Sequence, residues 1–425
     1  MMFSCERFDA STLDRAAMSP PQVAAIDSLM SGYSGEVPGA AVAVLHAGFA
    51  LRRSYGLADL ESRTPVTPAT SFRLASLSKQ FTAAAVLLLA EDGALTLDDS
   101  VRAWLPSLPA AADGATLRHL LTHTSGLMDF EEVMPEGITA QLRDADVLDL
   151  IERENRRHFA PGSAYRYSNT GYALLALIVE QASRRRYAAF LRERFFEPLG
   201  MRQTVAHEAG LSVVAHRAFG YSLAGSAGAG STADTVAGGG GARGVRAGGA
   251  DGGGASSWVR TDQSLTSATL GDGGVYSSAD DLTRWDRALD DGKVLLPASL
   301  RAAFTPATET DERGVGYGFG WRISAAERGG KGGTREAARE GAGHAAANGD
   351  AGVVAWHSGE SVGFRTVMLR YLEPRCTVIV LTNRSAPSPL RAAVAIAGVF
   401  VADADAAALP EAAAGPDAAA RPMPS

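Results

Sequence analysis

Cysteine is almost absent: Cys5 and Cys376 are the only two in 425 residues, and no CxxC pair occurs. A disulfide framework and a cysteine-based zinc site are thereby excluded, leaving room for one bridge at most. An excess of basic charge is absent too. Forty Lys and Arg stand against 47 Asp and Glu, for a formal charge of −7, which is not the positive surface that non-specific nucleic-acid binding needs. Long apolar runs are also missing. The longest in a helical pattern, Phe81–Ala90 and Tyr172–Val179, fall well short of the ~20 residues that span a bilayer. Neither the first 25 residues nor the stretch before Cys5 carries an apolar segment of the kind an exported protein needs. A cytoplasmic protein is therefore expected, with export open if the start is misassigned. What is present is ordinary globular usage, 46% hydrophobic and 20% charged, in a length that suits one large domain or two smaller ones.

The hydrophobic pattern predicts extended structure at both ends of the chain and helices between. Ala40–His46 and Phe49–Gly56, separated by Ala47-Gly48, read as a hairpin. Ser76–Glu91 reads as a helix, with Leu77, Phe81, Ala84, Ala85 and Leu88 in a 3.6-residue rhythm and Gly93 as its stop. Leu117–Leu121, Val147–Glu154, Tyr172–Arg185, Ala188–Phe196 and Asp280–Leu289 read as further helices. Gly316–Ile323, Val353–His357, Phe364–Tyr371 and Thr377–Thr382 then read as strands, with a last helix at Leu390–Val401. The expected fold is α+β, an antiparallel sheet built from both termini with flanking helices and an inserted, mostly helical region. In domain terms, residues 1–24 are an extension and 25–403 one domain, with the sheet region about 25–70 and 293–403 and the helical region about 71–292. Residues 225–254, 328–350 and 404–425 are rich in Gly and Ala and poor in large apolar side chains. They are expected to be disordered.

Three short strings carry chemistry. Ser76-Leu77-Ser78-Lys79 places a serine and a lysine one turn apart, where helix N-terminal N–H groups add positive potential. A hydroxyl nucleophile needs a neighbouring base and donors for an oxyanion, and this string supplies part of both. By itself S-x-x-K arises often by chance. Tyr167-Ser168-Asn169 precedes a helix. Tyrosine is a base only as phenolate, which at an ordinary pKa near ~10 costs about 4 kcal/mol at pH 7. A nearby Lys79 cation lowers that cost. Ser168 or Asn169 serves equally well as a helix cap. His357-Ser358-Gly359 ends a predicted strand, where small residues let a substrate backbone lie alongside and a backbone N–H beyond Gly359 completes an oxyanion hole with that of Ser76.

S-x-x-K, then Y-x-N, then a strand-borne K/H-T/S-G, in this order, resembles the motif set of the penicillin-binding-protein and serine β-lactamase superfamily. The likeness is greatest to the class C branch with its esterase and D-aminopeptidase relatives. Leu120-Leu121-Thr122-His123-Thr124-Ser125-Gly126-Leu127 and Gly271-Asp272-Gly273-Gly274-Val275-Tyr276-Ser277 agree with it. The resemblance implies Ser76 as nucleophile and Lys79 and Tyr167 as the acid/base network, with the order of proton transfer left open. It implies Asn169 in contact with substrate, the amides of Ser76 and Glu360 as the oxyanion hole, and no metal or organic cofactor. Relatives that act on β-lactams usually carry lysine where this chain has His357. A neutral imidazole recognises a substrate carboxylate poorly, and Glu360 adds negative charge at the cleft mouth. A small-molecule ester, amide or peptide is therefore expected as substrate rather than a β-lactam. The rival of another class is a catalytically silent sensor of peptides or penicillins, since fold does not fix function.

Two further matches fail in context. Gly359-Glu360-Ser361-Val362-Gly363 fits the G-x-S-x-G nucleophile elbow, but an extended pattern follows where a helix is needed and no histidine comes later. His119 and His123 stand at i and i+4, but Leu120 occupies the place of the zincin glutamate.

Overall fold

A computed structural model describes residues 18–224, 245–246, 257–325 and 352–401. Strand Ala40–His46 (β1) directs Ala40, Val42 and Val44 to one face and Ala41, Ala43 and Leu45 to the other, and both sets are buried. A strand covered on both sides loses apolar–polar alternation and reads as a continuous apolar run. Ala47 and Gly48, both at positive φ, turn the chain into Phe49–Tyr55 (β2), the expected hairpin.

The other strands come late: Thr308–Glu309 (β3), Val315–Tyr317 (β4), Arg322–Ala325 (β5), Val353–Ser361 (β6), Phe364–Tyr371 (β7) and Cys376–Thr382 (β8). Together they form one eight-stranded sheet in the order β3-β4-β5-β6-β7-β8-β1-β2. Neighbouring strands are antiparallel, and β8 meets β1 with Ala40 opposite Thr382 and His46 opposite Cys376. Both ends of the chain thus supply the sheet, as the sequence predicts.

The helices that matter here are Pro20–Leu29 (α1), Lys79–Glu91 (α2), Leu117–Leu121 (α3), Phe130–Val133 (α4), Asp144–Glu152 (α5), Asn169–Ser183 (α6), Ala279–Asp290 (α7) and Leu390–Gly398 (α8). The terminal helices α1 and α8 share one apolar cluster with the Val42 face of the sheet. The Ala41 face belongs to a second cluster, continuous with the inserted helical region. Helix α2 is buried continuously from Lys79 to Leu87. A helix enclosed all round belongs to the core, and this one carries the Ser76–Lys79 string to the middle of the molecule. Phe81 anchors it against Trp285 and Phe196, with ring centroids 4.6 and 5.4 Å apart.

Several expectations are corrected. Helix α1 begins at Pro20, inside the span read as an extension, because Ile26 and Met30 have the sheet to cover. Gly316–Ile323 is two strands, β4 and β5, reversed by a turn in which Gly318 N donates to Trp321 O. Strand β6 runs past His357 to Ser361, so His357-Ser358-Gly359 lies within the strand rather than at its end. The G-x-S-x-G match falls on the β6–β7 hairpin, with no helix behind it. Of the segments expected to be disordered, 328–350 and 404–425 lie outside the described residues. So does 225–254, except Val245–Arg246, which pair with Trp258 and Ser257. Among the described residues no helix is long and apolar enough to cross a membrane.

Candidate active site

Ser76 does not begin an α-helix as expected. It sits on a single 3-10 turn, Ala75–Ser78, that leads into α2. Ala75 enters this turn at φ 50°, a left-handed conformation that costs a residue with a Cβ about 1 kcal/mol or more. The turn is gripped from both sides. Leu74 N donates to Val275 O, and Val275 N donates to Ser78 Oγ at 3.2 Å. Opposite, Thr366 Oγ1 donates to Leu74 O at 2.8 Å. Gly359 faces the same carbonyl, and a Cβ there would lie 1.9 Å from Leu74 O. Only glycine lets β6 approach this closely, which is the physical content of the small residue in the third string.

Lys79 is fully buried. Its Nζ lies 3.0 Å from Ser76 Oγ, 2.7 Å from Asn169 Oδ1 and 3.0 Å from Asp272 O. Asn169 Oδ1 and Asp272 O only accept, so they take two N–H groups and the third tetrahedral position faces the serine. Tyr167 brings its ring to 4.9 Å from Nζ. Its hydroxyl makes no hydrogen bond among the described residues.

Two carboxylates hold this arrangement, and sequence reading found neither. Asp129 Oδ1 accepts from Glu131 N, at the start of α4, while Oδ2 accepts from Ser168 Oγ, Asn169 N and Thr170 N at the start of α6. The expected caps, Ser168 and Asn169, are thus capped themselves from a distant loop. Asp144 accepts from Leu270 N at 3.0 Å and Gly271 N at 3.2 Å, pinning the turn that offers Asp272 O to Lys79. Burial, with repulsion from Asp272, pushes the Asp144 carboxyl up to about 8. A carboxyl with a raised folded pKa keeps a proton the unfolded chain has released, so stability falls as pH rises from about 4 towards 8. Asp144→Asn keeps an acceptor and does not titrate. Urea melts at pH 5 and pH 8 should show a smaller loss of stability for the variant than for the parent; equal losses would refute this origin of the slope.

His357 does not present itself to substrate. It is buried, its Nδ1 donates to Ser358 O at 2.6 Å, and its Nε2 accepts from Tyr317 Oη at 3.0 Å. Burial, then the charges of Lys79 and Arg322, bring it down to about 3, so it is neutral. Ser358 is half-buried, while Glu360 is exposed, 3.6 Å from Arg365 across the hairpin. His119 and His123 do not share a helical face: α3 ends between them, and His119 Nδ1 accepts from Thr116 N.

An open cleft of about 740 Å³ leads to Tyr167 and Asn169, and Asp129, Glu131, Glu132 and Asp311 line it. Glu132 is engaged with Arg166 and His158. Glu131 Oε1 accepts from Asn169 Nδ2 at 3.1 Å, one amide away from Lys79. Desolvation, then the like charges of Asp129 and Asp272, push its carboxyl up to about 7. The residue is exposed at the cleft, so water moderates that desolvation. The one signal in the sequence was three acids in four positions, 129–132, directly after the Leu120–Leu127 string.

The profile of the Beta-lactamase family matches residues 23–402. The chain belongs to that family. Among its relatives, Penicillin-binding protein 4* of Bacillus subtilis is 31% identical over 78% of this chain and 64% of its own length. A D-aminopeptidase of Gluconobacter oxydans is 28% identical over 89% and 61%. The chain therefore spans less than two thirds of either relative. The solved D-amino acid amidase from Ochrobactrum anthropi SV3, complexed with L-phenylalanine amide, superposes with a TM-score of 0.67 at 24% identity, covering 89% of this chain and 98% of that one. These likenesses place the eight-stranded sheet and the inserted helices in a known β-lactamase-family fold.

Proposed function

We propose that this β-lactamase-family protein is a serine hydrolase that forms an acyl-enzyme on Ser76. Its preferred substrates are amides or short peptides whose acyl residue is a D-amino acid with a free α-ammonium. The contact between Lys79 Nζ and Ser76 Oγ, 3.0 Å, with the lysine fully buried and the serine half-buried, carries the first half. Ser76 Oγ attacks the carbonyl and its proton passes to the Lys79 amine, which reacts in its neutral form. The oxyanion rests on the backbone amides of Ser76 and Glu360. Tyr167, whose ring contacts Lys79 and whose hydroxyl is not otherwise engaged, delivers a proton to the leaving nitrogen as the C–N bond breaks, and the Lys79 ammonium returns a proton to the phenolate. Water then releases the acyl group by the same steps in reverse.

The acid-lined cleft supports the second half. Glu131 stands beside Asn169, where it can receive an α-ammonium, and the neutral His357 offers no charge to a substrate carboxylate. Both features disfavour β-lactams. The D-configuration rests on the names of the aminopeptidase and amidase relatives.

The test is intact-mass analysis after a fluorophosphonate probe and after a penicillin, beside Ser76→Ala, with hydrolysis of D- and L-phenylalanine amide followed in parallel. A single adduct on Ser76 that vanishes in the variant, with turnover of the D-amide, is expected. A long-lived penicillin adduct without amide turnover would instead favour a sensor. No adduct at all would sink the acyl-enzyme.

A further inference from the structure

His123 lies outside the reaction above, yet it holds the chain on both sides of Tyr167. Its carbonyl accepts from Arg166 N at 3.0 Å, and its Nδ1 accepts from Ser168 N at 3.2 Å. Its ring lies against the Tyr167 ring, with centroids 4.3 Å apart and planes at 37°. A backbone N–H only donates, so Nδ1 is the bare nitrogen and the ring proton sits on Nε2. The backbone makes this grip possible. Helix α3 ends at Leu121, and His123 follows at φ 58°, turning carbonyl and ring together towards 166–168.

The same residue is poorly chosen for stability alone. It is 2% exposed, and its Nε2 has no partner among the described residues. The rings of Tyr317, Tyr172 and Tyr165 surround it at 4.6, 5.2 and 6.1 Å. A buried donor without an acceptor costs about 1–3 kcal/mol, and the left-handed backbone adds to that. Lys79, His357 and Arg322 are the charged or titratable groups around it besides the tyrosines. Burial, then these three, hold it well below its ordinary pKa, and so neutral.

We propose that His123 is the positioning residue for Tyr167, fixing the phenol relative to Lys79 by bracketing its backbone and packing on its ring. The inference rests on Tyr167 acting as the acid/base of the proposed hydrolysis.

The experiment is a double-mutant cycle on amide hydrolysis with His123→Ala, Tyr167→Phe and the double variant, plus His123→Asn. Misplacing a catalytic group by about 1 Å costs on the order of 100-fold, so His123→Ala should lose roughly that in kcat with KM little changed. In the Tyr167→Phe background the same substitution should cost less than about threefold, because the group it positions is gone. His123→Asn keeps an acceptor near the Nδ1 position and tolerates positive φ; it should recover to within about tenfold of the parent. A purely structural role predicts the opposite, an equal loss in both backgrounds, and that result would overturn the proposal. Tyr167→Phe with undiminished kcat would overturn the role of Tyr167 and this inference with it. A large Tyr167→Phe loss with additive His123→Ala overturns only the positioning.

Discussion

Replacing Lys79 with methionine is expected to reduce kcat/KM on every substrate by at least about 10⁴-fold, the scale seen when a member of a nucleophile–base unit is removed. Methionine preserves the buried volume, so the comparison isolates the amine. Lys79 Nζ is the only basic nitrogen found at hydrogen-bond distance from Ser76 Oγ among the described residues. The Tyr167 phenol approaches Lys79 through its ring rather than its hydroxyl. This arrangement assigns the two groups different protons, and the assignment has a consequence. A p-nitrophenyl ester has a leaving group that needs no proton, whereas an amide does. In kcat/KM, which reports the steps up to the acyl-enzyme, Tyr167→Phe should therefore cost about 10²–10⁴-fold on amides and little on the ester, while slower deacylation lowers kcat on both and Lys79→Met is inactive on both. Stability should fall as well. Asp272 O loses its partner in a buried setting, at about 1–3 kcal/mol, and the half-buried Asn169 Oδ1 loses one too, at a smaller cost. Ester hydrolysis by Lys79→Met within tenfold of the parent would refute the role given to the amine.

The sequence carried more of the fold than of the site's surroundings, for a physical reason. Strands β1 and β8 are buried on both faces, so Ala40–Leu45 and Val378–Leu381 announce themselves as apolar runs. Ser76 and Lys79 are one turn apart in the chain, and their contact follows from local geometry alone. Tyr167 and Asn169 are placed beside them by a fold that periodicity does not specify, and only the order of the strings pointed there. Asp144 left no such trace, and Asp129 and Glu131 left only the cluster of acids at 129–132. Each acts on a residue at least 38 positions away, through one carboxylate that looks like any surface acid. The misread strand at Gly316–Ile323 has the converse cause. Its turn, Gly318-Phe319-Gly320-Trp321, keeps two large apolar residues that are buried, so the extended pattern continues across a reversal. His357 is expected beside the substrate because the strand is ended too early. Four more residues of β6 put it in the interior, hydrogen-bonded to Tyr317.

Glu131→Gln should separate substrates by their N-terminus. If Glu131 receives the α-ammonium, the variant should lose about 100-fold in kcat/KM on a D-amino-acid amide, within the range for breaking one charged pair that the bound substrate covers. The N-acetylated amide has no charge to place there, so its poorer hydrolysis should be almost unchanged by the substitution. Glutamine keeps an acceptor for Asn169 Nδ2, so the Lys79–Asn169 contact survives and the effect is not a general loss of the site. The pH profile gives the sign independently. Burial and the like charges of Asp129 and Asp272 raise the Glu131 carboxyl towards about 7, and water at its exposed position moderates the rise, so it becomes anionic between the ordinary carboxylate range and that pH. An ordinary α-ammonium persists up to about pH 8. For free-amine substrates kcat/KM should therefore rise as the pH climbs towards about 7 and fall again above pH 8. The rising limb should be weaker for N-acetyl substrates and for Glu131→Gln. Equal losses on both substrate classes, with parallel pH profiles, would place the ammonium elsewhere in the cleft and leave Glu131 as a support for Asn169.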